Sequence, residues 1–255
     1  MKQPDVIIGG ATRSGLDALA NLLEHHPQVF LPRNKEHQFF HQGKMIPPVI
    51  ESCKTIFEDA VHTEYQNRIP SDRVLHIENE FDPAHAHHGC PGAKVIFTLR
   101  NPIIRAYEQF HHALAEKKET VKTFEHAMDS ELSNLRSPDT TGRCWIYKNQ
   151  YQTHIEHWLS FFPRKKIFIM VYEEWTSPSK QGLKELEKFL GFQSNSLSQD
   201  AYKEMMQETG LIVEEPPPKS PPLSDATKEL LEEIFELDKN FVSNYIGRNI
   251  PKWKI

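Results

Sequence analysis

The sequence predicts an α/β fold with a mostly parallel central sheet flanked by helices, and two observations support this prediction. Apolar runs typical of buried strands occur at residues 6–8, 94–99 and 167–171. Between them, apolar residues recur at helical spacing, so strand and helix alternate along the chain. The 38% hydrophobic and 25% charged content of the 255 residues is that of an ordinary globular protein. In such folds, ligands gather at the carboxyl ends of the parallel strands.

The first predicted strand passes through a glycine-rich turn into a helix. Four apolar side chains share one face of that helix: Leu16, Leu19, Ala20 and Leu23. Ser14 is a candidate cap for its start, and His26 with Pro27 ends it. Residues 29–31, just before Pro32, predict a short extended segment.

Two further strands are joined to helices in the same way. Asn101 and Pro102, after the second strand, provide a cap and a first helical residue. Aromatic residues at helical spacing over residues 147–162 precede the third strand. Near the C terminus, the proline-rich stretch 216–222 precedes one predicted helix, which contains Leu230, Ile234, Leu237, Phe241 and Tyr245. No repeat or clear linker is visible, so we expect a single domain over residues 1–255.

Charge and cysteine usage exclude several classes of protein. The 30 Lys and Arg against 35 Asp and Glu give a net charge of −5, which provides no global field for a nucleic-acid partner. Three widely spaced cysteines cannot form a closed disulfide framework. The start of the chain lacks a signal-peptide core, and no apolar run approaches the ~20 residues of a membrane helix. We therefore expect a cytoplasmic protein without a membrane partner; the oligomeric state stays open.

A candidate anion site lies in the turn after the first strand. Gly10 and Gly15 keep the glycine spacing of a phosphate loop, but Leu16 and Asp17 follow where a magnesium-dependent loop has Lys and then Ser or Thr. What remains is a set of backbone N–H groups at a helix N-terminus, with the cation Arg13 inside the loop. A metal-dependent phosphate-loop kinase is therefore the disfavoured alternative.

A second candidate anion site follows the strand at residues 94–99. Arg100 emerges there beside a helix start, and Arg105 follows one turn later. Two strand-end anion sites in one sheet suggest a ligand with phosphate groups at both ends. The alternative is that Arg100 pairs with a neighbouring carboxylate.

The chain resembles the sulfotransferases that use 3′-phosphoadenosine 5′-phosphosulfate, particularly the branch of heparan-type and bacterial enzymes. Residues 8–15 are similar to the family's 5′-phosphosulfate loop, residues 35–40 to its Lys-Glu-x-x-Phe-Phe segment and residues 95–105 to its 3′-phosphate motif. The resemblance covers nearly the whole chain. It implies the phosphate-loop-like sulfotransferase fold, this donor and no metal. The donor-binding residues it implies are Gly10, Ala11, Thr12, Arg13, Ser14, Gly15, Leu16, Asp17, Arg100 and Glu108.

The resemblance also implies the catalytic residues. Glu36 would act as the general base, with the adjacent His37 and Lys35 as alternates, and Arg13 would stabilise the bridging oxygen electrostatically. The acceptor would be a hydroxyl or amine of a small molecule. A neutral or cationic bacterial metabolite of secondary metabolism suits an acidic chain better than a sulfated polysaccharide does.

Two departures from the family's pattern affect the expected donor site. Leu16 and Asp17 replace the hydroxyl residues that usually follow the second glycine. Glu108 replaces a serine in the helix after the 3′-phosphate arginine, and we expect Arg105, three residues earlier on the same helical face, to neutralise it. These departures support the remaining alternative, a catalytically silent nucleotide-binding protein.

The histidine-rich residues 82–89 are a weaker candidate, for a transition-metal site. No carboxylate set accompanies them. We therefore interpret this segment as a polar loop near the acceptor entrance.

Overall fold

A computed structural model of the protein describes residues 5–11, 13–24, 26, 29–30, 73–77, 83–133, 144–177, 181–192 and 221–253. Among the predicted site residues, Thr12, Lys35, Glu36 and His37 lie outside the described residues, as does the side chain of Asp17. The chain divides into two compact units, Met1–Leu99 with His157–Ile212 and Arg100–Glu156 with Val213–Ile255. The single domain stays a prediction.

The first unit contains a five-stranded sheet in which every strand pair is parallel. Its strands are β1 (Val6–Ile8), β2 (Val29–Phe30), β3 (Arg73–Ile77), β4 (Lys94–Leu99) and β5 (Ile167–Val171). They lie in the order β2-β3-β1-β4-β5. Ile8 of β1 stands opposite Ile77 on one side and Ile96 on the other. This parallel sheet, accompanied by helices, confirms the predicted α/β class.

The helices alternate with these strands along the chain. They are α1 (Leu16–Glu24), α2 (Pro83–Gly89), α3 (Pro102–Ala115), α4 (Phe124–Ser133), α5 (Tyr151–Leu159), α6 (Tyr172–Trp175), α7 (Gln181–Leu190), α8 (Asp225–Ile234) and α9 (Glu236–Ile246). Short 3₁₀ turns occur at Tyr147–Asn149, Arg164–Lys166 and Pro251–Trp253. In the part of the chain that the structure describes, no helix combines the length and apolar character needed to cross a bilayer.

The core of the first unit fixes the position of α1. The apolar face predicted for this helix is buried, with Leu19 and Leu23 fully inaccessible to solvent. It packs in one cluster with Ile8, Ile96 and Trp175. Because α1 and the central strands share this core, the connection from β1 to α1 is held at both of its ends.

The second unit has its own core, built around α3. Ile103 and Phe110 of this helix pack with Phe124, Leu231 and Phe235, and all of these side chains are buried. The rings of Phe110 and Phe124 lie 5.5 Å apart at an angle of 64°. Such edge-to-face pairs add to the hydrophobic stabilisation of a core.

The start of α3 confirms the predicted cap. The side-chain oxygen of Asn101 accepts hydrogen bonds from the backbone N–H groups of Ile103, at 3.0 Å, and Ile104, at 3.4 Å. Pro102 occupies the first turn, where its missing N–H is not needed. Residue 100 is therefore followed at once by a rigid helix start.

β3 and α2 differ from what the sequence predicts. β3 was not predicted, because Arg73 and His76 interrupt its apolar run. The predicted polar loop around residues 82–89 is wrong: Pro83–Gly89 forms α2, with Ala86 fully buried. A proline at the first helical position favours such a start.

The predicted C-terminal helix is divided into α8 and α9 at Phe235. The φ and ψ angles of Phe235 are −96° and 9°, outside the helical range, and its side chain is fully buried. Leu237, which the sequence pattern placed among the apolar residues of the helix, is 73% exposed. The single helical face predicted for this segment therefore does not continue past Phe235.

Candidate functional site

The connection from β1 to α1 is tied to the end of β4 by backbone hydrogen bonds. Gly9 N donates to Ile96 O, Ala11 N donates to Thr98 O, and Thr98 N donates back to Gly10 O, each at 2.8 Å. The loop therefore continues the parallel ladder beyond β1. This places residues 9–11 at the carboxyl edge of the sheet, where such folds bind ligands.

The backbone angles of Gly10 and Gly15 explain why glycine occupies these two positions of the loop. Gly10 has a φ of +125° and Gly15 a φ of +78°, values that side chains disfavour. A Cβ atom on Gly15 would lie 2.8 Å from Cζ2 of Trp175 and 2.9 Å from the ring of Tyr172. Glycine is therefore required at position 15 both by its backbone angles and by the two aromatic rings packed against it.

Arg13 has a left-handed backbone conformation inside the loop, with a φ of +62°. This conformation costs a residue with a side chain roughly 1–2 kcal/mol. Such residues concentrate at ligand-binding sites, where the surrounding structure holds them in place. The cation predicted for the loop therefore stands in a conformation typical of a binding site.

The side chain of Thr98, in β4, holds the loop in place through hydrogen bonds. Its hydroxyl donates to the backbone oxygen of Ser14 at 2.8 Å and accepts from the indole N–H of Trp175 at 3.1 Å. Both Thr98 and Trp175 are fully buried. Neither residue is among those predicted for the site from the sequence, although a hydroxyl within the otherwise apolar run of β4 was a signal.

The hydroxyl of Ser14 is a further feature of the loop that suits a ligand. Ser14 is fully buried, and its Oγ has no hydrogen-bond partner among the described residues. Buried hydroxyls are normally bonded, so this one is suited to an oxygen of a bound anion. The predicted capping role is not seen: Gly15 O accepts the first intrahelical bond of α1, from Leu19 N at 2.9 Å.

Leu16, which stands where the family usually has a hydroxyl residue, is part of the hydrophobic core. Its side chain is 6% exposed and belongs to the core cluster of the first unit. At this position only the backbone N–H can serve an anion. The first N–H groups of a helix have no intrahelical acceptor, so those of α1 suit this purpose.

In the second unit, Arg100 and Glu108 form a bidentate ion pair. Nη1 of Arg100 donates to Oε2 of Glu108 at 2.7 Å, and Nη2 donates to Oε1 at 2.8 Å. Both side chains are 4% exposed. Pairing of Arg100 with a nearby carboxylate was the alternative that the sequence left open, and this carboxylate comes from one of the predicted donor-binding residues.

Arg105, the residue expected to neutralise Glu108, has a different set of hydrogen bonds. Its Nη1 donates to Lys148 O at 2.9 Å and to Oδ1 of Asn149 at 2.8 Å. Its guanidinium carbon lies 5.8 Å from the ring centre of Tyr151, whose hydroxyl donates to Arg100 O at 2.8 Å. Arg105 thus supports the tyrosine that fixes the backbone at Arg100. These acceptors are over 40 positions away in the sequence, so helical spacing alone missed them.

Other chemistry-bearing groups do not form a site. Within the described ranges, no group of three or more His, Cys, Asp or Glu side chains is arranged to hold a metal ion. His87 of α2 instead lies edge-on to the ring of Phe162, at 5.2 Å between centroids. Burial raises the pKa of the Cys90 thiol to about 12, so this cysteine stays protonated and is not a nucleophile near neutral pH.

Comparison with known proteins assigns the chain to a family. The model of the sulfotransferase domain matches residues 3–214. The chain belongs to the sulfotransferase family. The structure of a sulfotransferase from Alicyclobacillus acidocaldarius covers 100% of both chains with a TM-score of 0.71 and 20% identity. That of mouse sulfotransferase SULT7A1, complexed with PAP, covers 94% of this chain and 86% of the mouse chain, with a TM-score of 0.58 and 16% identity. Both establish the sulfotransferase fold.

A curated relative of this sulfotransferase-family chain is the bifunctional heparan sulfate N-deacetylase/N-sulfotransferase 1 of Caenorhabditis elegans. The two are 24% identical over 269 residues, which cover 98% of this chain and 31% of the relative. The chain therefore spans less than a third of the length of that protein.

Thr98→Val is expected to loosen the loop of this sulfotransferase-family protein. The valine keeps the shape but leaves the Trp175 N–H and the Ser14 carbonyl without the hydroxyl, a loss of about 1–3 kcal/mol for a buried polar group. Urea unfolding would measure the lost stability, and the affinity for 3′-phosphoadenosine 5′-phosphate should fall with it. Thr176→Val is the matched control, because the Thr176 hydroxyl donates at 2.6 Å to Tyr172 O of the helix that Thr176 follows. Equal effects of both variants on nucleotide affinity would contradict a specific role for Thr98.

Proposed function

We propose that the chain is an enzyme that transfers a sulfuryl group from 3′-phosphoadenosine 5′-phosphosulfate to a hydroxyl or amine of a small acceptor. The observation that supports this most directly is the loop from Gly10 to Gly15. It combines positive φ angles, a cation and, at the N-terminus of α1, a buried hydroxyl that has no hydrogen-bond partner in the described part of the chain. A 5′-phosphosulfate is the anion that this family membership associates with such a loop.

The residues of the loop would have separate tasks in this reaction. The N–H groups at the start of α1 and the Ser14 hydroxyl would hold the non-transferred phosphate oxygens of the donor. Arg13 would place its charge near the bridging oxygen, where negative charge develops as the bond to sulfur breaks. A guanidinium remains protonated, so Arg13 acts by charge and not as a proton donor.

The general base and the class of acceptor are assigned from the sequence. Glu36 is assigned as the base because residues 35–40 are similar to the family's base motif, and His37 is its alternate. The net charge of −5 favours a neutral or cationic small acceptor. The name of the C. elegans relative makes heparan-type amines a necessary member of any acceptor panel.

Donor recognition can be tested by thermal unfolding. We expect 3′-phosphoadenosine 5′-phosphate to raise the melting temperature, because a ligand that binds only the folded state stabilises it. ATP with magnesium should raise it much less, since Leu16 and Asp17 replace the residues that bind the metal and the γ-phosphate. If magnesium ATP raises the melting temperature equally, the alternative of a metal-dependent phosphate-loop kinase is favoured. Stabilisation by the nucleotide without turnover of the labelled donor on any acceptor would favour the silent nucleotide-binding protein.

A further inference from the structure

The indole of Trp175 begins a chain of two buried hydrogen bonds that ends on the backbone of the loop. Its N–H donates to the Thr98 hydroxyl at 3.1 Å, and that hydroxyl donates to Ser14 O at 2.8 Å. An indole N–H can only donate, and a hydroxyl has one proton to give. Because the Thr98 oxygen accepts from Trp175, its single proton is directed to the Ser14 carbonyl.

The carbonyl that receives this proton belongs to the peptide bond between Ser14 and Gly15. In a planar trans peptide, the C=O and N–H groups point in opposite directions. Since Ser14 O is held toward the fully buried Thr98, the N–H of Gly15 is directed away from it. Gly15 immediately precedes α1, so this N–H belongs to the helix start that suits an anion.

The ring of Trp175 also packs directly against the loop. Its Cζ2 lies 2.8 Å from the place that a Cβ atom on Gly15 would take. The side chain is fully buried in the core cluster that contains Leu19 of α1. The core therefore fixes the ring, and the ring contacts the same peptide that the Thr98 hydroxyl holds.

We propose that Trp175 is a positioning residue for the donor: by orienting the Thr98 hydroxyl, it fixes the peptide between Ser14 and Gly15 in the orientation that binds an anion. The inference rests on the proposed function, because it takes the 5′-phosphate end of the sulfuryl donor as that anion. Trp175 contacts neither the nucleotide nor the reacting atoms. It restricts the peptide before the ligand arrives, and such preorganisation strengthens binding.

A double-mutant cycle on nucleotide affinity tests the inference. Trp175→Phe keeps an aromatic ring but removes the indole N–H, and Thr98→Val keeps the shape of threonine but removes its hydroxyl. In calorimetric titration, each single variant should raise the Kd of 3′-phosphoadenosine 5′-phosphate about three- to tenfold. The double variant should bind within about twofold of Thr98→Val alone, because the chain of hydrogen bonds is already broken at Thr98.

Thr98→Ser is the conservative variant, because serine keeps the hydroxyl. Its Kd should stay within about twofold of wild type, and Trp175→Phe added to it should still raise the Kd about three- to tenfold. Phe162→Leu is the control for lost packing in the same unit. Its buried ring lies against His87 and Trp158, at 5.2 and 5.4 Å between centroids, so it should lower the stability and leave the Kd within about twofold.

Two results would overturn the inference and leave the sulfotransferase proposal standing: an unchanged Kd in Trp175→Phe, or effects of Trp175→Phe and Thr98→Val that simply add. If Trp175→Phe does not fold, Thr98→Ser and Thr98→Val decide. Equal affinities in these two variants contradict the inference, because the proposed action of Trp175 passes through the hydroxyl. If the wild-type protein does not bind the nucleotide, the donor site itself is wrong and the proposed function fails as well.

Discussion

Truncation of Glu108 to alanine is expected to lower the free energy of unfolding by about 3–5 kcal/mol, one of the largest losses available in the second unit. The reason is the buried guanidinium that remains. Glu108 accepts two charge-assisted hydrogen bonds from Arg100, whose side chain is 4% exposed. Without Glu108, the guanidinium loses the carboxylate that makes both bonds, in a place that water barely reaches. Urea unfolding followed by circular dichroism would measure the difference.

A double variant separates this cause from simple loss of packing. Replacing both partners by apolar residues of similar volume, as in Arg100→Met with Glu108→Leu, should recover most of the stability, because neither charge of this pair is left buried. Lys228→Ala is the control for an ion pair at the surface, where Lys228 and Asp225 are 35% and 94% exposed, and it should change the stability little. A double variant as unstable as Glu108→Ala would show that shape, not charge, is the dominant contribution.

The strands that the sequence predicted are those with continuous apolar runs. β1, β4 and β5 lie next to one another in the sheet, and their side chains are almost all buried. Burial on both faces is what produces such uninterrupted runs, so the pattern identifies strands that are covered on both faces, including β5 at the end of the described strand order. β3 was missed because its run contains Arg73 and His76, and no local signal distinguishes such a segment from a loop.

The loop of the candidate site was predictable because its constraints are local. Positive φ angles at Gly10 and Gly15 require glycine, so the spacing of the two residues is visible in the sequence. The partners of Arg100 and Arg105 were not predictable in the same way. Helical spacing suggested that Arg105 faces Glu108, whereas the hydrogen bonds of Arg105 go to Lys148 and Asn149, which only the tertiary fold brings close.

Replacement of Glu36 by glutamine is expected to lower kcat for sulfuryl transfer by about 10²–10⁴, the usual contribution of a positioned general base. This prediction rests on the resemblance of residues 35–40 to the family's base motif. Glutamine keeps the shape of the side chain but cannot take the acceptor's proton. Turnover would be measured with a sulfur-labelled donor, at saturation of whichever acceptor supports turnover in the wild-type protein, in a panel of small alcohols, small amines and heparan-type amines.

The affinity for 3′-phosphoadenosine 5′-phosphate distinguishes lost chemistry from lost binding. In Glu36→Gln it should stay near the wild-type value, because the base acts on the acceptor and not on the nucleotide. Arg13→Ala is the contrasting variant: its loop charge is proposed to contact the donor both before and during transfer, so nucleotide affinity and turnover should fall together. If Glu36→Gln turns over at a near-normal rate while Arg13→Ala does not, the loop keeps its role in the donor site. The base is then His37 or another histidine.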